Sequence, residues 1–96
     1  MNVQRLADKI HSKMVKCFRK TGKTMFYGPE WLEAFPRVPS ETVYAAIVLL
    51  SADGRISVLF AEGIPQDMAL NTNRIPKSAE VFRKFYQIVK EIRSWL

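Results

Sequence analysis

Residues 42–56, TVYAAIVLLSADGRI, constrain the fold more than any other stretch, because they admit two incompatible architectures. Read as a strand, the alternating sets Val43-Ala45-Ile47-Leu49 and Tyr44-Ala46-Val48-Leu50 are both apolar, so both faces would need cover. A chain of 96 residues has little with which to supply it. The Ser51-Ala52-Asp53-Gly54 tetrapeptide between two apolar runs is nonetheless a workable hairpin loop. Read as a helix, Val43, Ala46, Ile47 and Leu50 share one face, Ser40 is a good N-cap, and Asp53-Gly54 ends the helix before the β-rich ISVLF. Pro36 and Pro39 then fall in a turn between two short helices. The helix is the preferred reading, and a central hairpin in an α+β domain of no inferred activity is the alternative.

Composition bounds the rest. With 48% apolar residues, two Trp, three Tyr and six Phe, the chain can bury a core without metal or disulfide staples, and residues 1–96 read as one domain. Cys17 is the single cysteine, so no internal disulfide forms. No run of eighteen apolar residues and no cleavable leader is present. A reducing, cytoplasmic setting without membrane attachment is the expectation. GIPQD and NTNRIPK read as loops.

The formal charge of +6 is unevenly spread. Arg5, Lys9, Lys13, Lys16, Arg19, Lys20 and Lys23 face only Asp8 in the first segment, and acids and bases cancel from Thr24 onward. At about 100° per residue, Val3, Leu6, Ala7, Ile10, Met14, Cys17 and Phe18 make a stripe roughly 120° wide. Arg5, Lys9, Lys13, Lys16, Lys20 and Lys23 lie opposite, and Gly22 is the expected stop. A solvated face ordinarily mixes signs. A cationic one points to phosphates, an anionic surface or an acidic protein. Mid-sized residues such as Ala7 and Cys17 on the apolar side suit a protein core better than a bilayer surface.

A short helix is expected from about Pro29 to Phe35, with Glu30 and Glu33 at the positive end of its dipole and Trp31, Leu32 and Phe35 on the buried side. A last helix is expected from near Ser78, with Val81, Phe82, Phe85, Ile88, Val89, Ile92, Trp95 and Leu96 in an apolar face about 140° wide. That face can pack on the first helix or form a homodimer interface through Phe82, Phe85, Val89, Ile92, Trp95 and Leu96.

The run WLEAFPRVPSETVYAAIVLLSADGRISVLF resembles the core of a winged helix-turn-helix domain: Ser40, Thr42, Val43, Ala46, Ile47, Leu50, Gly54 and Ile56 fill the places of its third helix and the entry to its wing. The resemblance covers about a third of the chain and is one of residue classes. It implies a mainly α fold with a small β-hairpin (α+β), its C-terminal helix packed on the N-terminal one. Ile56–Ala61 and Asp67–Asn71 would be the wing strands, with Glu62-Gly63-Ile64-Pro65-Gln66 at the tip. It also implies that the helix from Ser40 enters a major groove, with Arg37, Ser40, Thr42, Tyr44 and Ala45 facing DNA. The sequence departs from a strong DNA binder in having no Lys or Arg in that helix and in carrying Glu62 and Asp67 at the wing. Val48 and Leu49 lie off the core face.

Catalytic patterns are poor. His11 is the only histidine and lies beside the apolar stripe, where a structural role is the better reading. One His and one Cys make no zinc set. Gly22-Lys23-Thr24 echoes the end of a phosphate-binding loop, but Cys17 stands where the earlier glycine belongs. The acids are scattered singly. The expectation is therefore a non-enzymatic, cofactor-free, dimeric DNA-binding regulator or accessory factor. Lys9, Lys13, Lys16, Lys20 and Lys23 would hold phosphates, and readout would lie around Ser40 to Tyr44. The alternative is an interaction module that docks an acidic partner through the basic stripe, or an apolar one through Val48 and Leu49.

Overall fold

The computed structural model describes residues 2–75. The helix expected from near Ser78, and with it the expected dimer residues Phe82, Phe85, Val89, Ile92, Trp95 and Leu96, lies outside the described residues.

Helix α1 runs Val3–Thr21. Asn2 starts it by accepting the Arg5 N–H on its side chain at 2.8 Å, which satisfies one of the donors a helix start leaves open. Gly22 ends it in the left-handed region at φ 77°, its N–H donating to the Phe18 carbonyl at 2.7 Å, the conformation that favours glycine at a helix end. Leu6, Ala7, Ile10 and Met14 are fully buried, and His11 and Val15 widen the buried stripe beyond the pattern of apolar residues. Val3, Cys17 and Phe18 are half-buried at its margin.

A short strand, β1 (Met25–Tyr27), leads to α2 (Glu30–Ala34). Pro29 is the N-cap, so this helix begins one residue later and ends one earlier than its proline and acid signals indicate. Trp31 and Phe35 are buried, and Leu32 packs at the edge of the core.

Residues 40–52 form helix α3 (Ser40–Ala52), and the hairpin alternative is ruled out. The Asp53-Gly54 turn is a helix terminus: Gly54 N–H donates to Ser51 O at 3.1 Å and Arg55 N–H to Leu50 O at 3.0 Å. That pair of bonds is the Schellman closure, with Gly54 at φ 74° supplying the left-handed residue. Ser40 is not the cap. Pro39 is, and its carbonyl takes the N–H groups of Thr42 and Val43 at 3.0 and 3.2 Å. Val43, Ala46, Ile47 and Leu50 are fully buried, as their shared face requires.

Strands β2 (Ile56–Ala61) and β3 (Ile64–Leu70) form a hairpin whose loop is only Glu62-Gly63. Both turn residues have positive φ, 54° and 78°, the geometry of the two-residue turn that matches strand twist. The expected five-residue tip Glu62-Gly63-Ile64-Pro65-Gln66 is thus corrected, and β3 begins three residues earlier than Asp67. Pro65 sits inside β3, opposite Phe60, beyond the stretch where β1 pairs and next to the register shift between Val58 and Phe60. Its missing N–H interrupts no regular ladder there.

The sheet order is β1-β3-β2, all antiparallel. Phe26, Ile56, Met68 and Leu70 on its inner side meet α1 and α3 in one core. The described residues thus make a mixed α+β unit of three α-helices and a three-stranded antiparallel sheet. Each large core side chain contributes about 1.5–3 kcal/mol of apolar burial.

Candidate functional site

The charged side of α1 is where its helical spacing puts it: Lys9, Lys13, Lys16 and Lys20 follow one another at i, i+4, i+7 and i+11 and are all exposed. Lys23 is exposed too, but it lies past Gly22 and has left the helix. The row borders α2. The Lys9 ammonium lies over the Phe35 ring, 5.7 Å from its centroid, and that of Lys23 over Phe26 at 5.0 Å, distances at which the ring face attracts a cation. Trp31 completes the aromatic group, 6.3 Å from Phe26 and 6.5 Å from Phe35 between centroids. Because Arg37 follows Phe35 by two residues in an exposed turn, the Lys9 end of the row adjoins the turn between α2 and α3.

Between α1, β1 and α2 lies a groove of about 260 Å³. Cys17, Phe26, Trp31 and Ala34 line it, and Lys13, Lys23 and Glu30 bring charge to it. The Trp31 indole N–H is buried without an acceptor, an unusual state for a buried donor. On the other flank of α1 a second groove of about 350 Å³ runs along His11, Ser12, Val15, Lys16 and Arg19.

Helix α3 presents a different chemistry. Ser40, Glu41, Ala45 and Val48 are exposed, with Arg37 just ahead of them. Thr42 and Tyr44 are half-buried, and Tyr44 packs against the core, so the five residues expected to face one ligand are divided. Leu49 is also packed on the core, while Val48 is about half exposed. Glu62 occupies the hairpin turn, but Asp67 lies within β3 opposite Tyr27, away from the tip. Leu59, Phe60 and Ile64 near the turn are exposed, Leu59 to 68%. No local signal in the sequence marks this apolar tip, because Ile64 reads as loop unless the turn is two residues long.

His11 is 6% exposed and its Nε2 has no hydrogen-bond partner. Burial, followed by the nearby Arg55 charge, holds its pKa below the ordinary histidine value, against the opposing pull of Asp8. This is a neutral core imidazole. Cys17 is half-buried, with its Sγ 3.7 Å from Thr21 Oγ1. Among the described residues no group of three or more His, Cys, Asp and Glu could hold a metal ion, and no helix is long and apolar enough to cross a membrane.

No family model matches the chain, and no curated protein or solved structure matches it.

Proposed function

We propose that this chain is a winged helix-turn-helix domain that binds double-stranded DNA mainly through phosphate contacts. The order α1-β1-α2-α3-β2-β3 with a β1-β3-β2 sheet supports the fold: α2 and α3 are the helix pair and the β2-β3 hairpin is the wing. The observation that carries the function is the seat of Lys9 over Phe35, which joins the cationic row of α1 to the α2–α3 turn and Arg37. A duplex lying along that surface meets Lys9, Lys13, Lys16, Lys20 and Lys23 as phosphate partners.

Readout in this proposal is sparse. Arg37 and Ser40 supply donors at the start of α3, and Ala45 offers a methyl suited to a thymine methyl. Thr42 and Tyr44 contribute less because they are half-buried. The affinity therefore rests on charge, with modest discrimination between sequences. Homodimerisation through the apolar residues from Phe82 to Leu96 is part of the proposal on the sequence alone, as is a cytoplasmic regulatory or accessory role.

The exposed Val48, Leu59, Phe60 and Ile64 favour a second reading, a winged-helix interaction module that docks a protein. Anisotropy of a labelled random duplex across a salt series separates the two. Phosphate binding gives an affinity that falls linearly on logarithmic axes, with a slope of about −0.9 per phosphate engaged. A folded protein that leaves the duplex unbound at low salt refutes the DNA reading.

A further inference from the structure

The groove between α1, β1 and α2 has a composition that phosphate contacts do not use. A DNA backbone needs cations, yet here the cations stand around a lining of Cys17, Phe26, Trp31 and Ala34. At about 260 Å³ the groove falls below the ordinary range of small-molecule pockets, roughly 300–1,000 Å³. It is the size for one large side chain of a docked partner, the way an anchor residue fills a pocket at the centre of an interface.

The surrounding charge defines that partner. Lys13 and Lys23 flank the groove against Glu30 alone. The same α1 ridge continues past it in both directions, to Lys9 on one side and Lys16 and Lys20 on the other, all exposed. A small carboxylate would engage only the cations at the groove itself. A chain segment carrying several carboxylates would engage the ridge along its length, which suits electrostatic complementarity over many residues. Lys23 is already held over Phe26 at 5.0 Å, so one side of the groove is set before a ligand arrives, which lowers the ordering cost of binding.

We propose that this groove binds an acidic protein segment by taking one of its aromatic or large aliphatic side chains between α1 and α2, while its flanking carboxylates pair with the lysines of α1. The site shares Lys13 and Lys23 with the proposed duplex surface, so it is tested in the absence of DNA.

The probe is a synthetic peptide with a central phenylalanine flanked on each side by three glutamates, titrated into the full chain and followed by the Trp31 indole N–H resonance. Two controls accompany it: the same peptide with alanine at the anchor position, and Ala34→Phe, which fills the groove from an exposed position without removing a cation. The proposal expects a shift of the Trp31 resonance, and a loss of affinity of at least about tenfold both for the alanine peptide and for Ala34→Phe. The variant's fold is checked by its circular dichroism, and its duplex affinity should be unchanged. Equal affinity for the two peptides overturns the proposal, since charge alone would then account for binding. Should Ala34→Phe instead abolish duplex binding while the peptides still bind, the groove belongs to nucleic acid and the proposal also fails. If Ala34→Phe does not fold, the two-peptide comparison on the wild-type chain decides alone.

Discussion

Arg55 and Asp8, 47 residues apart in sequence, meet in a salt bridge of 2.9 Å that ties α1 to the turn leading out of α3. The second guanidinium nitrogen holds Asp53 at 2.9 Å, and the side chain is only 17% exposed. Its neighbours tie the same turn from the other side: Asn71 Nδ2 donates to the Gly54 carbonyl at 2.8 Å, and Arg74 to the Asp53 carbonyl at 3.0 Å. The hydrogen bond from Arg55 is the first cause of a lowered Asp8 pKa.

Arg55→Ala should therefore lower the melting temperature more than Asp8→Asn does, because it breaks both pairs and removes a largely buried stem. The pH dependence has a definite sign. A carboxylate depressed in the folded state adds stability above its unfolded value of 3.8 and loses it as pH falls through the lower folded value. Asp8→Asn should flatten the melting-temperature profile below about pH 4; an unaltered profile would show that the pair is not formed in solution.

His11 acts in a higher window. Its folded pKa lies below the unfolded value of 6.5, so the unfolded chain binds the proton first, and stability falls as pH drops below 6.5. Thermal melts between pH 7.5 and 5 should show this decline, and His11→Leu, which keeps bulk and removes the titration, should remove the slope in that interval. A slope that survives the substitution would place the titrating group elsewhere.

Gly28 is fixed by contact rather than by backbone angle. A Cβ there would run into the Pro65 carbonyl near the start of β3, while the Gly28 N–H already donates to Gln66 O at 2.6 Å. Gly28→Ala should cost about 1–3 kcal/mol through overpacking, measured by denaturant unfolding. Gly22→Ala is a useful comparison: nothing crowds a Cβ at that position, so its cost comes from the positive φ of 77° alone.

What the sequence made legible follows from how local each signal is. Helix α1 needed only periodicity and Gly22. The outcome at residues 42–56 turned on both apolar sets being unfit for a two-faced strand, and α3 buries the helical set Val43, Ala46, Ile47 and Leu50. Strand β1 is not legible because the three residues MFY carry no period, and its existence depends on a partner forty or more residues away. The five-residue tip expected for the β2–β3 hairpin fails for the same reason: Pro65 reads as a loop residue, but it is buried inside β3 beside the register shift, where no ladder donor is required. At the candidate site, the cationic row of α1 was legible from spacing, whereas its junction with the α2 aromatics was not. The seat of Lys9 over Phe35 depends on how α1 lies against the end of α2, which no local pattern encodes, while Lys23 and Phe26 are three residues apart where the chain passes from α1 into β1.

Helix α3 offers a test of whether it faces the duplex. Ala45 is exposed and lies on a helix with no Lys or Arg. Ala45→Arg should strengthen duplex binding several-fold at low salt and steepen the salt dependence by about one unit, the effect of one added phosphate contact. An unchanged slope would mean that α3 points away from the nucleic acid.

The most direct test of the account is duplex binding by wild-type protein and by the triple variant Lys9→Glu, Lys13→Glu, Lys16→Glu, each across the same salt series. If the α1 ridge and the α2–α3 turn hold phosphates, the variant should lose at least about a hundredfold in affinity at 0.1 M salt, and the slope should fall by about three units. A folded variant that binds with the wild-type affinity and slope would contradict the account.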